Sequence, residues 1–395
     1  MVLGMYKNQH FDNYNIKFSK LSDVTISLRK GTLTKEFLEN DGFYPVVNSG
    51  RTFYGKYKDY NNSGNSFTVA SRGEYAGFIM YQSHDYWAGG LCYPYRSINE
   101  KKILTKYIYY YLKRYENLIM NSIVDRGSIP ALNKSRLDEF LIAFPPLEIQ
   151  KEIVEILDNF TELTSELTSE LTSRKQQYEY YSDFLFSSLT SENSSILKIS
   201  DFAKCIAGAT PSTSINAYWD NGTIPWMSSG EVNKGKVYST DKLISKLGYD
   251  STSTRIVPIN TVVIALAGQG TTRGKVALTK IPLCTNQSLC SIITGKKVLS
   301  EYLYFYLKTK YNQLRSISSG DGNRGGLNLK MINEFEAPVP SLDEQQRIVD
   351  ILDKFDKLVN DISEGLPAEI AARQKQYEYY RDKLLTFKEV GNESI

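Results

Sequence analysis

Arginine, lysine and polar side chains concentrate in glycine-rich stretches in two separate regions of the chain. Such side chains donate hydrogen bonds to base edges and phosphate oxygens, and neighbouring glycines allow a backbone to approach a ligand closely. The chemistry that they favour is therefore the binding of nucleic acid. The candidates in the first region are Arg51, Lys56, Arg72, Arg126, Lys134 and Arg136. Those in the second region are Ser229, Asn233, Lys234, Lys236, Gln269, Thr271, Arg273, Lys275, Asn323 and Arg324.

The stretches 228–236 and 268–275 are the favoured parts of this set, because each carries several candidates within one short loop. For any single residue the alternative stays open that it is only a solvated surface group. The tyrosine-rich segments 107–111 and 302–306 could in principle stack on bases. Their apolar spacing is that of a helix, which predicts core packing instead.

Motifs for catalysis are not recognisable in the sequence. An amino-methyltransferase box would place an aromatic residue after two prolines, but Pro145-Pro146 is followed by leucine. A phosphate-binding loop has the pattern GxxxxGK[ST]. The nearest stretch, 268–276, has Gln269 at the first glycine position and Val276 at the hydroxyl position, so we interpret it as a turn between strands. We expect no catalytic residue and no cofactor bound by this chain.

Metal ligands and thiol chemistry are equally poorly supported. The four cysteines match neither a CxxC pair nor a zinc-finger spacing, so we expect small buried residues. These cysteines are Cys92, Cys205, Cys284 and Cys290. The chain has two histidines, His10 and His84, which are too few to favour a metal site or a histidine-based triad. We predict no metal site.

Charge alternates along the chain, although the total is only +3. Residues 1–144 carry 19 Lys+Arg against 13 Asp+Glu, and residues 195–338 carry 17 against 9, so both blocks are basic. Residues 145–194 and 339–395 are acidic, with nets of −7 and −4. Two basic blocks suit a protein that binds a polyanion at two places. No apolar run approaches the roughly 20 residues of a membrane span and no apolar leader is visible, so we expect a cytoplasmic protein without membrane contact.

An internal repeat underlies this alternation. PPLEIQKEIVEILDNF at 145–160 matches VPSLDEQQRIVDILDKF at 339–355 with an offset of 195 residues. RKQQYEYYSDFL at 174–185 matches RQKQYEYYRDKL at 373–384 with an offset of 199, so the second copy has gained four residues. Such a match predicts a duplicated unit.

The segments between the matched parts, about 52–104 and 232–300, align poorly. We therefore predict two tandem globular domains of the α/β (α+β) class, each followed by a helical spacer. The predicted parts are domain 1 at 1–144, spacer 1 at 145–194, domain 2 at 195–338 and spacer 2 at 339–395.

Both spacers have apolar residues in steps of three and four, which predicts long helices with a coiled-coil seam. Ser341 and Glu344 fit a capping box at the start of the second helix, and Gly365-Leu366-Pro367 interrupts that helix. Three tandem ELTS tetrads occupy 162–173 in the first helix. Seams this narrow predict that the two helices pack on each other; packing of each on its own domain is the alternative.

This organisation resembles the specificity subunit of type I restriction–modification enzymes over essentially the whole chain. The resemblance is carried by PPLEIQKEIVEIL, PSLDEQQRIVDIL, the QYEYYxDxL endings and the tandem tetrads. It implies that each globular domain is a target recognition domain that reads one half of a split, asymmetric DNA site. It also implies that the helices form an antiparallel coiled coil, which sets the distance between the half-sites and gives the subunit a pseudo-twofold axis.

The resemblance further implies the partners. Two methyltransferase subunits would methylate adenine with S-adenosylmethionine, and motor-nuclease subunits would translocate and cut unmodified double-stranded DNA with ATP and Mg²⁺. The chain itself would be non-catalytic, and these cofactors would belong to its partners. Two other classes are a coiled-coil scaffold that binds only proteins and a fused modification enzyme. The scaffold does not explain two basic domains, and the enzyme lacks its motifs.

Overall fold

Two compact units make up the chain. The computed structural model describes residues 16–190, 193–268, 272–318, 326–361 and 364–387. The first unit combines Met1–Thr168 with Glu369–Ile395, and the second unit is Ser169–Ala368. The last helix of the chain therefore belongs mainly to the first unit, and the long first spacer helix is shared between the two.

The first unit is a mixed α/β domain with helical additions. Its strands are β1 (Lys17–Lys20), β2 (Thr25–Ser27), β3 (Tyr44–Val47), β4 (Gly55–Tyr57), β5 (Ser66–Ala70), β6 (Ile79–Gln82), β7 (Trp87–Ala88), β8 (Cys92–Ser97), β9 (Val124–Asp125), β10 (Ala131–Leu132) and β11 (Leu141–Phe144). Its short helices are α1 (Leu21–Val24), α2 (Thr105–Arg114), α3 (Glu116–Ser122) and α4 (Lys134–Asp138). The long helix α5 (Leu147–Ser187) begins here and ends in the second unit.

The second unit has a closely similar series of elements. Its strands are β12 (Ser194–Lys198), β13 (Ala203–Ala207), β14 (Ile224–Met227), β15 (Lys236–Val237), β16 (Lys242–Ile244), β17 (Val262–Ala265), β18 (Val276–Thr279), β19 (Cys284–Thr285), β20 (Leu289–Thr294) and β21 (Glu336–Pro340). Its helices are α6 (Lys246–Asp250), α7 (Ser300–Thr309), α8 (Tyr311–Ser316), α9 (Leu329–Glu334) and α10 (Leu342–Asn360), followed by α11 (Leu366–Leu384).

Sheet order repeats from one unit to the other. The first unit has a four-stranded sheet of order β2-β8-β5-β6, a three-stranded sheet of order β4-β3-β7 and the pair β1-β11. The second unit has β13-β20-β17-β18-β15, β16-β14-β19 and β12-β21. These orders correspond strand for strand, with two differences among the described residues: β15 adds a parallel edge strand to β18, and the pair β9-β10 is found in the first unit alone. The predicted internal repeat is therefore confirmed at the level of topology.

A buried glutamine begins each spacer helix and has the same three partners in both units. Gln150 accepts a hydrogen bond from the backbone N–H of Leu104 at 2.9 Å and donates to two backbone carbonyls at 3.0 and 2.8 Å. Gln345 accepts from the N–H of Leu299 at 2.9 Å and likewise donates to two carbonyls at 3.0 and 2.9 Å. Both side chains are fully buried. Each glutamine thus joins the start of its spacer helix to the start of the preceding domain helix.

The tyrosine-rich segments lie in the cores, as predicted. Tyr107 and Tyr302 are fully buried at equivalent positions of α2 and α7. Each hydroxyl donates to a backbone carbonyl of the last strand of its domain, that of Ala143 at 3.0 Å and that of Pro338 at 2.7 Å. Burying a tyrosine costs little free energy when its hydroxyl donates a hydrogen bond to such a carbonyl. These rings are therefore core residues and are not available to stack on bases.

Helix α7 runs in the same direction as α10 in the second unit. The N–H of Leu299, just before α7, donates to Gln345 near the start of α10. Lys308, near the end of α7, donates to Asp356 near the end of α10 at 3.1 Å. Contacts that advance together along both helices indicate a parallel arrangement.

Helix α5 runs against both of these helices in the second unit. The ring of Phe186 packs edge-on to Tyr302, near the start of α7, with a centroid separation of 5.5 Å. Lys308, near the end of α7, donates to the Tyr178 hydroxyl at 3.0 Å. Residue numbers along α5 fall as those along α7 and α10 rise, so α5 and α10 are antiparallel, as the resemblance implied.

Ring contacts join the spacer helices within each unit. In the second unit Tyr181 stacks on Phe355 at 5.8 Å, and in the first unit Phe160 stacks on Tyr380 at 5.3 Å. All four follow the steps of three and four along the spacers from which the sequence predicts a coiled-coil seam. The helices also pack on their own domains, since Ile153 is fully buried in the first core. Both arrangements that the sequence left open therefore occur together.

The second spacer is interrupted where the sequence predicts, between α10 and α11. A Cβ atom added to Gly365 would lie 2.4 Å from the carbonyl oxygen of Lys357, so only glycine fits this close turn after α10. At the start of α10 the Ser341 hydroxyl accepts the N–H of Glu344 at 3.3 Å, which is one of the two bonds of the predicted capping box. The Glu344 carboxylate instead forms an ion pair with the guanidinium of Arg347, one turn further along the helix, at 2.7 Å.

Candidate nucleic-acid interface

Three loops with predicted DNA-binding residues converge in the first unit. Arg51, between β3 and β4, lies over the ring of Tyr75 at 4.9 Å. Tyr75 belongs to the turn between β5 and β6, which also carries Arg72. That turn is bonded to the loop between β9 and β10, because the N–H of Gly73 donates to the carbonyl of Pro130 at 2.9 Å. Three separate sequence stretches therefore form one surface.

The corresponding loops also meet in the second unit. Lys275, at the end of the turn between β17 and β18, donates to the side-chain oxygen of Asn233 at 2.8 Å. The N–H of Leu327 donates to the carbonyl of Leu266 at 2.8 Å. The equivalent bond in the first unit joins Leu132, which lies 195 residues earlier, to the carbonyl of Ser71 at 2.9 Å. Loop convergence is therefore a property of the repeat.

A buried carboxylate shapes the loop 228–236. Glu231 is 3% exposed, and it accepts hydrogen bonds from the backbone N–H and the hydroxyl of Ser228 at 2.7 and 3.1 Å. It also accepts the N–H of Asp241 at 2.9 Å. The 3-10 helix Ser229–Lys234 is thereby closed into a compact turn. Sequence reasoning missed this residue, although the spacing of Ser228 and Glu231 is that of a capping box.

Glycine ends this loop for a steric reason. Gly235 has a φ of 66°, in the left-handed region, and an added Cβ would lie 3.2 Å from the hydroxyl of Tyr304. A larger residue would be strained in backbone and crowded in side chain. The two-residue strand β15 follows directly, so the chain passes from the 3-10 helix into the sheet at Gly235.

The lysines of this loop have carboxylate partners. Lys234 bonds to Glu231 and Asp241, both at 2.8 Å. Burial opposes the charge of Lys234, but the hydrogen bonds to Asp241 and Glu231 outweigh it and raise its pKa. Lys236 bonds to Asp353 at 2.7 Å and to Asp356 at 3.1 Å. Lys275, by contrast, has the neutral Asn233 as its partner here.

These residues line a cavity of about 1060 Å³ in the second unit. Asn233, Lys234, Lys236 and Lys275 are among its lining residues, together with residues at the end of α10. Tyr238, Tyr304 and Tyr311 also line it. The structure therefore brings together four sequence candidates from two loops.

The remaining candidates of the first unit lie on or near the same loops, with one exception. Arg126 is exposed, and its guanidinium donates to the side-chain oxygen of Asn121 at 3.0 Å. Arg136 is also exposed, and its guanidinium lies 3.6 Å from a carboxylate oxygen of Asp125. Lys134 is half-buried and pairs with Asp138 at 2.6 Å, which leaves it less available to a ligand. The exception is Lys56, which is exposed on β4, on the smaller sheet.

The remaining candidates of the second unit are only partly described. Ser229 and Arg273 are half-buried in the two loops that line the cavity. The candidates Gln269, Thr271, Asn323 and Arg324 lie outside the described residues.

Neither a cluster of metal ligands nor a membrane-spanning helix occurs in the described parts of the chain. Those parts contain no group of three or more His, Cys, Asp or Glu side chains arranged to hold a metal ion. None of the helices described is both long and apolar enough to cross a bilayer. Cys92, Cys284 and Cys290 are buried and Cys205 is half-buried, all as free thiols.

Comparison with known proteins assigns the chain to a family. The family model described as "Type I restriction modification DNA specificity domain" matches twice, at residues 13–174 and 191–372. The chain is 35% identical over 356 residues to the type I restriction enzyme EcoR124I/EcoR124II specificity subunit of Escherichia coli, covering 87% of each. It is 28% identical over 395 residues to a putative type I specificity subunit of Mycoplasma pneumoniae, covering 96% of this chain and 99% of the relative.

Solved structures agree in fold. The S subunit of a type I restriction–modification system from M. genitalium superposes with a TM-score of 0.67 at 18% identity, covering 95% of this chain and 98% of that one. A chain from a study of complex assembly and conformational transition in the type I system superposes with a TM-score of 0.61 at 14% identity, covering 94% and 97%. With two matched domains and a relative of this similarity, the chain belongs to the type I restriction–modification DNA specificity family, whose members are non-catalytic specificity subunits.

Proposed function

We propose that the chain reads a split, asymmetric site on double-stranded DNA, with one half-site contacted by the converging loops of each unit. The observation that carries this proposal is that segments at corresponding positions of the repeat are bonded to each other in both units, while their sequences differ. A repeated scaffold with different loops suits the reading of two different sequences. The arginine, amide and hydroxyl groups of these loops would contact base edges, and the other loop cations would contact phosphates.

We further propose that the chain holds two methyltransferase subunits for adenine methylation, and motor-nuclease subunits where these are present. S-adenosylmethionine, ATP and Mg²⁺ would then be bound by those partners. The antiparallel helices, with exposed faces on both spacers, would supply the attachment surface. Such a complex would act on chromosomal and incoming DNA, which is consistent with a cytoplasmic location.

The test is DNA binding by the complex reconstituted with its methyltransferase. Arg51→Ala with Arg72→Ala should weaken discrimination at one half-site, and Asn233→Ala with Lys275→Ala at the other. Each well-placed base contact contributes about 1–3 kcal/mol, so losses of about tenfold or more are expected. A scaffold that binds only proteins would show no sequence preference even in the wild type.

Matched controls are available at one position of the repeat. Lys101 and Lys296 are exposed cations 195 residues apart, outside the converging loops. Lys101→Ala and Lys296→Ala should leave the discrimination at both half-sites unchanged. Equal losses in the controls and the loop variants would show that net charge alone drives binding.

A further inference from the structure

Lys236 is directed to the spacer helix α10. Its ammonium lies 2.7 Å from a carboxylate oxygen of Asp353 and 3.1 Å from one of Asp356, and its side chain is 15% exposed. A phosphate contact from this ammonium would require it to leave two carboxylates. The residue that sequence reasoning selected for DNA binding therefore has a strong intramolecular alternative.

The ion pairs extend into a cluster, which we name the Lys236 cluster: Lys236, Asp353, Asp356 and Lys308. Asp356 accepts from Lys308 at 3.1 Å as well as from Lys236, and its side chain is 11% exposed. Lys308 in turn donates to the Tyr178 hydroxyl of α5 at 3.0 Å. The cluster thereby connects strand β15 with α7, α10 and α5 inside the second unit.

Charges within the cluster stabilise one another. Burial opposes ionisation of Asp356, but Lys308 and Lys236 outweigh it, so the pKa of Asp356 is lowered. Burial also opposes the charge of Lys236, and hydrogen bonds and attraction from Asp353 and Asp356 outweigh it and raise its pKa. Lys357 adds a second cation to Asp353 at 3.2 Å. All members are therefore charged at neutral pH, and removing one leaves its partners without a counter-charge.

The chain between the cluster and the reading loop is short. Lys236 follows Gly235, whose left-handed backbone ends the 3-10 helix Ser229–Lys234. Val237, the next residue, is fully buried. A displacement of Lys236 would therefore be transmitted to Asn233 and Lys234, because only Gly235 lies between Lys234 and Lys236 and its N–H is bonded to the carbonyl of Val232 at 3.2 Å.

The first unit uses the equivalent aspartate differently. Asp158 lies 195 residues before Asp353, at the same position of its spacer helix. Its partners are Lys106 at 2.7 Å and the Tyr110 hydroxyl at 2.6 Å, both on α2. The aspartate thus has a lysine partner in both units, but this lysine lies on α2 in the first unit and directly after a candidate reading loop in the second.

We propose that Lys236 is a positioning residue: its ion pairs with Asp353 and Asp356 hold the loop 228–236 on α10 in the conformation that reads the second half-site. The positioning of the loop is a property of the free chain. Its consequence for DNA rests on the function proposed above.

The first experiment measures backbone hydrogen exchange in the full chain without DNA. The N–H groups of Glu231 and Gly235 are bonded within the loop at 3.1 and 3.2 Å. Lys236→Met removes the ammonium and retains an unbranched apolar chain, and it should accelerate exchange at these two amides about tenfold, because local opening becomes easier. Lys236→Arg should keep them protected. Unchanged exchange in Lys236→Met would overturn the proposal.

A matched control separates this effect from general destabilisation. Lys106→Met removes the ion pair of the equivalent aspartate, Asp158, in the first unit and should leave exchange at Glu231 and Gly235 unchanged. Exchange in β17 and β20, at the centre of the larger sheet, should stay slow in Lys236→Met. Acceleration throughout that sheet would show that the lysine only supports the whole domain, and would contradict a positioning role.

The second experiment uses DNA and the reconstituted complex. Lys236→Met should lower the preference for the correct second half-site about tenfold, the effect of roughly one mismatched base pair, and leave the first half-site unaffected. The slope of log affinity against log salt should not change. A lost phosphate contact would instead weaken all sequences alike and reduce that slope by about one, and this result would overturn the proposal.

The two experiments also separate the proposals. If the wild-type complex shows no sequence preference, the proposed function fails. The exchange measurement then still decides whether Lys236 positions the loop, because it needs neither DNA nor a partner.

Discussion

Two buried glutamines show how a single residue can join a domain to its helix. Gln150 and Gln345 each have three backbone partners, and the partners are equivalent in the two units. A side-chain amide suits this position because it can accept one bond and donate two. No apolar residue of similar size can replace it without leaving buried backbone groups unpaired.

We expect Gln345→Leu to lower the free energy of unfolding of the second unit by about 3 kcal/mol. The substitution leaves one N–H and two carbonyls without a side-chain partner, and each unpaired buried group costs about 1–3 kcal/mol. Denaturant unfolding followed by tryptophan fluorescence measures this, since Trp219 and Trp226 lie in that unit. Gln346→Leu, at the exposed neighbouring position, should change stability by no more than about 0.5 kcal/mol. Equal effects would contradict the role of Gln345.

The carboxylates of the Lys236 cluster predict a pH dependence. A carboxyl group with a lowered pKa stabilises the fold above its unfolded pKa of about 4, and this contribution is lost as the pH falls through the lower folded value. Asp353 and Asp356 both have lowered pKa values. The second unit should therefore lose stability below about pH 4.

Asp356→Asn tests this dependence. We expect the variant to be less stable than the wild type at pH 7, since Lys236 and Lys308 lose a counter-charge, and the difference to shrink at pH 3 because the wild-type carboxylate is then being protonated. Urea unfolding at both pH values measures it. Asp350→Asn, at an exposed position of the same helix, is the control and should show no such convergence. A difference independent of pH would assign the effect to packing.

At the scale of elements, the tandem tetrads occupy the middle of α5. Leu163, Leu167 and Leu171 are half-buried at seam positions, and the residues around them are mostly exposed. The hydroxyl of Thr164 donates to the carbonyl four residues earlier at 2.8 Å. The boundary between the units falls within the second tetrad, after Thr168. We therefore predict that the number of tetrads sets the length of helix between the two units.

We predict that deletion of residues 166–169 shortens the gap between the two half-sites and leaves their sequences intact. Four residues make slightly more than one turn, so their loss shortens α5 by about 6 Å and rotates the remainder of the helix by roughly 40°. A base pair advances DNA by about 3.4 Å and rotates it by about 35°, so the displaced domain can follow a half-site moved by a small whole number of pairs. Mapping of methylated adenines in cells measures the gap.

The control for this deletion is a substitution variant in which the helix keeps its length. Replacing Glu166, Thr168 and Ser169 by alanine removes the tetrad sequence without changing the register, so the gap should stay the same. A deletion variant with full activity and an unchanged gap would refute the role of the tetrads as a spacer. The tetrads would then be a permissive segment of an exposed helix.

At the scale of the whole molecule, two units with one strand order but dissimilar loops predict that each half-site can be exchanged alone. Replacing residues 232–300 with the equivalent part of a relative should change the second half-site and leave the first as it was. The inserted segment should retain a cation at position 236, because Asp353 and Asp356 of α10 stay in place. Methylation mapping reads both halves at once. A simultaneous change in both halves would contradict independent reading.

The sequence by itself determined the duplication, the long helices with their interruption at Gly365, the α/β class and the family. These follow from local patterns: identical residues at a constant offset, steps of three and four, and a glycine beside a proline. Periodicity and propensity act between residues that are close along the chain, so one sequence is sufficient to read them. The burial of the tyrosine-rich segments could be predicted for the same reason.

Only the tertiary structure decided which side chains meet. Gln345 was visible as a repeated residue, but its partners lie 46 to 48 residues away for two of its three bonds. Lys236 looked like its neighbour Lys234, yet its carboxylates are 117 residues away in one case. Cationic loops look alike in sequence whether a charge is free for DNA or paired inside the fold. The distinction depends on how distant elements are packed together, and no pattern of neighbouring residues contains that information.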